Sequence, residues 1–335
     1  MRCREFLIGP LNFAEIAVSC SARESRAHGS AEKMFLPRIP SDSQLRSHFR
    51  GCLLGGAVGD ALGAPVEFLD LDEIVIAYGE QGIRDYAPAY GKLGAITDDT
   101  QMTLFTAEAV LSAHVTAVLQ SQEPDFFRAA TSSYGRWLMT QENSRLVSSG
   151  SAKATWLLQQ KKLFSRRAPG TTCLSALQSS RGKVTRATND SKGCGGVMRM
   201  APVGMYFAHS LSRERQPDRL LSNIFATGND LAGITHGHPS GCLSAGAFAV
   251  MISLVLVGNS LTDAIRAAKE ELRKHPSHKE TLAAIEQAEA WRSLALASAA
   301  LCASLEKGSW PRKLWRWGSI ARSAPQILKT ESFSL

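Results

Sequence analysis

The chain of 335 residues is 44% hydrophobic and 20% charged, which excludes an intrinsically disordered or fibrous protein and allows a sizeable buried core. Its net charge of +8 sits at the ends: residues 1–50 hold eight basic against five acidic side chains and residues 300–335 hold six against two, leaving a nearly neutral body. A basic groove for nucleic acid is therefore not indicated. The seven cysteines (Cys3, Cys20, Cys52, Cys173, Cys194, Cys242 and Cys302) are scattered and lack CxxC spacing, a pattern of reduced thiols in a cytoplasmic protein rather than a disulfide frame or zinc site.

Residues 1–42 show no sustained period and read as a weakly ordered extension. Arg2 and Arg4 precede a mostly apolar stretch, Phe6 to Val18, but Asn12 and Glu15 interrupt it, so neither an export signal nor a membrane segment is expected. From Ser43 the pattern turns helical through Leu45, Phe49, Leu53 and Gly56, with Ser41 or Ser43 as cap. This helix carries Gly51, Gly55, Gly56, Gly59 and Gly63. Each glycine costs about 1 kcal/mol relative to alanine in a helix interior, so close approach of a backbone or a ligand is expected there. Asp60 and Glu67 close the segment, and Pro65 leaves Glu67 on the following loop. That loop, from Leu69 to Gly94, delivers the chain to Thr97-Asp98-Asp99-Thr100.

A helix from Asp98 to about Ala113 follows, with Met102, Phe105, Ala109 and Val110 as its apolar stripe. The acidic pair at its start has two readings on residue type alone. Thr97, Asp98 and Asp99 either satisfy a helix N-terminus or offer hard oxygen ligands to a cation. Further helices are expected over Phe126–Thr140 and around Ala152–Leu163, and Thr172 is placed to cap a short one through Leu177. Asn189 to Pro202 is glycine-rich, with Gly193, Gly195 and Gly196. It is either an ordinary tight loop or a backbone cradle for a phosphate, and it matches neither the P-loop nor the dinucleotide fingerprint.

Asp230 to Ile252 reads as helical around Thr235-His236-Gly237-His238-Pro239. Two histidines at i and i+2 do not share a helix face, so His236 reads as a structural or substrate-contacting residue rather than a metal ligand. Ser260 or Thr262 starts the next helix, and Lys279 to Leu305 forms a long one. With no strand signal of any length the expected class is all-α.

Four blocks, Gly55–Glu67, Ile96–Met102, Asn189–Pro202 and Ile234–Pro239, together with a weaker fifth, Arg167–Leu174, resemble the ADP-ribosylglycohydrolase family in their order and spacing. The likeness runs from about Leu45 to Gly308, so residues 43–308 are taken as the family domain. It implies a compact all-α fold that holds two Mg²⁺ ions, or alternatively Mn²⁺. By the same likeness Thr97, Asp98, Asp99 and Glu67 are metal ligands, and Glu67 and Asp98 carry the catalysis. Asn189, Ser191, Gly193, Gly195, Gly196, Met198 and Arg199 lie along the ADP-ribose, with His236 near the substrate. Asp60 matches a recurring acid without an assigned role. The implied reaction is metal-dependent hydrolysis of the glycosidic bond between ADP-ribose and a protein side chain, or a related ADP-ribosyl compound. The alternative is a non-catalytic ADP-ribose-binding or structural, crystallin-like member.

The family's second ligand cluster, Asp-x-Asp-Thr near the C-terminus, has no match after Thr262. Residues 309–335 are instead basic and tryptophan-rich. Back-translated and read two bases later, Ser309 to Lys329 permits an amphipathic helical text, so the expectation is that the coding frame is lost near Gly308. A polypeptide so altered is expected to bind metal weakly and to hydrolyse little. The nucleotide sequence tests this: a shifted frame that is open but lacks Asp-x-Asp-Thr downstream sinks the idea.

Overall fold

Ser41 begins the ordered helical chain with a capping box: the Gln44 amide donates to its hydroxyl at 3.3 Å, and Gln44 Oε1 accepts the Ser41 amide at 2.9 Å. The structure, a computed structural model, describes residues 40–142, 155–211, 213 and 217–302, with side chains up to 290. Most of the expected N-terminal extension and all of the basic tail lie outside these residues.

Helix α1 (Asp42–Gly63) buries only Leu45, Phe49 and Ala61. No described backbone makes the expected close approach to its glycines. Among the described residues nothing lies within 4 Å of a Cβ built at Gly51, Gly55, Gly56, Gly59 or Gly63, because this face of the helix points away from the core. The next segment is not the plain loop expected. Asp70 and Glu73 form a second capping box that opens α2 (Leu71–Tyr78), a short helix whose stripe of Leu71, Ile74, Val75 and Tyr78 is only half-buried. A two-residue hairpin, β1 (Pro88–Ala89) antiparallel to β2 (Lys92–Leu93), is the departure from pure helix. Its turn residues Tyr90 and Gly91 have φ of 50° and 78°, the left-handed pair that a type I′ turn requires.

Helix α3 (Asp98–Gln120) runs a further two turns beyond Ala113 and packs on α4 (Phe126–Gln141). The Thr106 and Tyr134 hydroxyls meet at 2.8 Å, and Arg136 pairs with Glu108 at 2.6 Å. The described part of the expected Ala152–Leu163 helix is two 3₁₀ turns, Leu157–Gln159 and Lys161–Leu163, broken where Gln160 is extended. Helix α5 (Thr171–Ser180) has Gly170, not Thr172, at its cap position.

Helices α6 (Ala201–Leu211), α7 (Pro217–Gly233), α8 (Pro239–Leu256), α9 (Leu261–Arg273) and α10 (Lys279–Cys302) complete the described chain. α8 is apolar all round because α6, α7 and α9 surround it. Gly246 lets α7 come close, since a Cβ there would lie 2.6 Å from the Phe225 carbonyl oxygen. By length and composition α3 and α8 could each span a membrane, yet 50% and 61% of those stretches are buried inside the fold. One core runs through Phe105, Trp137, Met200, Phe225 and Val250 and supports the N-terminus of α3 from below.

Candidate functional site

The N-terminus of α3 is held by residues distant in sequence. Asp60, in the last turn of α1, accepts the Thr97 amide at 2.9 Å and its hydroxyl at 2.6 Å. It also takes the Thr100 amide at 3.1 Å and hydroxyl at 2.5 Å. The Thr97 hydroxyl oxygen in turn accepts the Asp99 amide at 3.3 Å. The Asp98 amide donates to the Arg167 carbonyl at 3.1 Å, and Gly170 N–H donates back to Asp98 Oδ2 at 3.0 Å. Arg167 locks this second contact. Its buried guanidinium donates to the carbonyls of Ile96 and Lys162 at 3.0 and 3.1 Å and to the Ser165 hydroxyl at 3.0 Å.

Four carboxylates are thereby gathered: Asp60, Glu67, Asp98 and Asp99. None of them forms an ion pair among the described residues. Burial pushes the Asp98 carboxyl up to about 7, with the charges of Asp99, Glu67 and Asp60 adding and the Gly170 N–H opposing. Burial also raises Glu67, helped by Asp99 and Asp60, and raises Asp99, helped by Asp60. Such mutual elevation marks negative charge without compensation. Tyr90, on the strained hairpin tip, senses the same cluster: burial raises its hydroxyl, with Glu67, Asp98 and Asp60 adding.

The glycine-rich loop lies beside this cluster, anchored by Asn189. Its Nδ2 donates to the Thr235 carbonyl at 2.8 Å, and its Oδ1 accepts the amides of Ser191 and Gly237, each at 3.1 Å. The Ser191 and Thr172 hydroxyls share a bond at 3.1 Å. The loop passes over His236. Cβ atoms at Gly193 and Gly195 would each lie 3.5 Å from the His236 Nε2, and one at Gly196 would lie 2.7 Å from the Gly241 carbonyl. The imidazole is buried, and burial, with the Arg199 charge adding, lowers it to about 4.

The sequence-level site residues thus meet in one region, with differences in role. Thr97, Asp98, Asp99 and Glu67 lie close enough to influence one another. Asp60 gains the role the sequence left open, that of a helix cap. Asn189 is committed to holding the loop, so its amide is not free for a ligand. Arg199 is fully buried beneath the loop, because its guanidinium is engaged by Thr235, Cys173, Met102 and the face of Tyr134; it does not lie along a ligand groove. Met198 packs against the core. His238 is not a ligand candidate either, since its Nδ1 accepts the Ser240 amide at the start of α8. Sequence reading missed Tyr90, Arg167, Gly170 and Thr235. The Tyr90-Gly91 pair is the one local signal, as a left-handed hairpin turn.

The donor chemistry fits a hard cation: Glu67 and Asp98 each have an oxygen uncommitted among the described hydrogen bonds, and Asp99 and the Thr97 hydroxyl stand beside them. Among the described residues, however, no group of three His, Cys, Asp or Glu side chains is placed to hold a metal ion.

A stretch of 192 residues is 32% identical to an uncharacterized protein of Archaeoglobus fulgidus, covering 56% of this chain and 52% of that protein. The chain thus spans about half the length of the relative it matches. Residues 41–327, a span that runs past Gly308, match the family model described as ADP-ribosylglycohydrolase. With that match covering most of its length, the chain belongs to the ADP-ribosylglycohydrolase family.

Proposed function

We propose that this protein hydrolyses the glycosidic bond joining ADP-ribose to a protein side chain, or to a related small ADP-ribosyl compound, in the cytoplasm and with Mg²⁺ or Mn²⁺ as cofactor. The observation that carries the reading is the uncompensated group of Glu67, Asp98 and Asp99 at a helix N-terminus whose N–H groups are satisfied by other residues. Thr97, Asp98, Asp99 and Glu67 are the residues that would hold divalent cations. A bound cation neutralises the cluster and acts as a Lewis acid toward the ribose oxygens.

The chain's own residues do the rest. The backbone of Gly193, Gly195 and Gly196, with Ser191, lines the diphosphate and ribose, and the small side chains allow close approach. Departure of the aglycone develops oxocarbenium character at the anomeric carbon. Glu67, on the loop that follows α1, is the general base for the attacking water. Asp98, fixed by Gly170 N–H through one oxygen, directs the other toward the reacting ribose.

A second reading is a non-catalytic ADP-ribose-binding member, favoured because among the described residues no group of three His, Cys, Asp or Glu side chains is placed to hold a metal ion. One experiment separates them. The full chain is incubated with an ADP-ribosylated protein and either Mn²⁺ or EDTA, and free ADP-ribose is measured. Release that needs metal, and that Glu67→Gln abolishes without loss of ADP-ribose binding, is the expected result. Binding without release under any metal selects the second reading, and absence of binding removes both.

A further inference from the structure

Arg199 is a buried cation without a counter-ion. Its side chain is 0% exposed, its Nε finds no partner, and among the described residues no carboxylate pairs with it. A buried charge costs several kcal/mol unless hydrogen bonds and neighbours compensate it. Part of the compensation is the Tyr134 ring, 4.3 Å from the guanidinium carbon. The best of its bonds runs toward the site: Nη2 donates to the Thr235 hydroxyl oxygen at 2.6 Å. That hydroxyl lies 2.9 Å from His236 Nδ1 and 3.4 Å from the Ala232 carbonyl.

We infer that Arg199 and Thr235 are a positioning relay that locks His236 in its neutral Nε2–H tautomer, so that the ring presents one N–H donor between Gly193 and Gly195. The direction follows from donor counting. A threonine hydroxyl has one proton and can accept two. Once Arg199 occupies one lone pair, the proton is left with Nδ1 at 2.9 Å, the Ala232 carbonyl at 3.4 Å or the weakly accepting Cys173 sulfur. With a proton on Nδ1, two N–H groups would converge on Thr235 and its own proton would be left with the longer contact or the sulfur. With Nδ1 as acceptor, each group has its short partner, and the guanidinium bond makes the hydroxyl a stronger donor. The Arg199 charge also discourages a second proton on the ring.

The outlet of the relay is Nε2. Among the described residues it has no hydrogen-bond partner, although the residue is 1% exposed, and it is not among the fully closed-off polar atoms. It therefore faces the space under the glycine loop, where it suits an acceptor oxygen of the ligand, such as one from a diphosphate or ribose. This specificity role rests on the function proposed above, whereas the locked tautomer is a property of the free protein.

The test is long-range ¹H–¹⁵N correlation on the full chain labelled with ¹⁵N-histidine, with His236→Gln to assign the signal and no ligand added. The expected pattern is a protonated Nε2 and an unprotonated Nδ1, with no imidazolium form down to pH 5.5. In Thr235→Val the pattern should become a mixture or invert, and in Thr235→Ser it should return. A wild-type ring protonated on Nδ1, or a Thr235→Val ring that keeps the original pattern, overturns the relay. Titration with ADP-ribose then gives about tenfold weaker binding for Thr235→Val than for wild type or Thr235→Ser, the worth of one hydrogen bond to a ligand. Equal affinity refutes the specificity role. A locked tautomer in a protein that does not bind ADP-ribose keeps the relay and removes the proposed function.

Discussion

Replacing Asp60 by alanine tests whether the acidic turn is held by the first helix. Asp60 receives two backbone amides and two hydroxyls from Thr97 and Thr100. The hydroxyls can rotate away, and that of Thr97 already has Asp99 Oδ2 at 3.0 Å. The two amides have no second acceptor in reach of a short bond, and losing a carboxylate partner costs each about 1.5 kcal/mol. Loss of an anion from a helix N-terminus adds roughly 0.5–1 kcal/mol. Removing one of four neighbouring carboxylates opposes this by about 1 kcal/mol where the repulsion across about 4 Å is screened as in water. The capping terms win, and Asp60→Ala should lose about 2–3 kcal/mol in urea unfolding at pH 7.5 with EDTA. Asp60→Asn, which keeps one acceptor oxygen, should lose about half as much. Faster amide exchange at Thr97 and Thr100 should accompany both. An alanine variant as stable as wild type, or more so, would mean that repulsion outweighs capping and would refute the reasoning.

Arg167→Met should cost about 2–3 kcal/mol in the same assay, since three acceptors lose their donor; Arg167→Lys should recover less than half, because an ammonium cannot span them all. Gly237→Ala should cost more than about 2 kcal/mol, since its Cβ would fall 1.9 Å from the Asn189 carbonyl oxygen; a thermal midpoint equal to wild type would argue against the loop position. Gly55→Ala should act in the opposite sense, gaining about 0.5–1 kcal/mol in unfolding free energy, because nothing described stands in its way. The His236 imidazole lies near 4 when folded and 6.5 when unfolded, so its contribution is complete above pH 6.5 and is lost as pH falls through 4. The pH dependence of unfolding between pH 7 and 4 should therefore be shallower in His236→Gln than in wild type, by about 3 kcal/mol at the acid end.

The helices were largely legible because their signals are local. The stripe Met102, Phe105, Ala109 and Val110 is buried as its spacing requires, and Ser41 and Ser260 cap the helices they precede. The Ala152–Leu163 region misled for a physical reason. Leu157, Leu158 and Leu163 are buried, as a helix would bury them, but two 3₁₀ turns around an extended Gln160 reach the same burial. Helix α2 was overlooked although both signals are present, the Asp70–Glu73 box and the stripe Leu71, Ile74, Val75 and Tyr78, because at eight residues it spans little more than two turns. The roles of Asp60, Arg167 and Arg199 were not legible at all. Each acts on residues roughly 30–100 positions away, and a charged residue in a glycine-rich loop looks the same in sequence whether it faces a ligand or the core.

The acidic pair itself was ambiguous in sequence between a helix cap and a cation site, and accounting for the N-terminal amides of α3 separates the two. The Asp98 amide goes to the Arg167 carbonyl, the Asp99 amide to the Thr97 hydroxyl and the Thr100 amide to Asp60, while Gln101 makes the first intrahelical bond to the Thr97 carbonyl. No donor at this terminus is left for the side chains of Asp98 and Asp99 to satisfy. Their neighbourhood raises both carboxyls instead of lowering them, the reverse of what a capping acid experiences at a helix N-terminus. Two acids that do no capping, and whose charge the surrounding protein leaves uncompensated, are a cost to the isolated fold. Under the function proposed above, a bound cation would offset that cost.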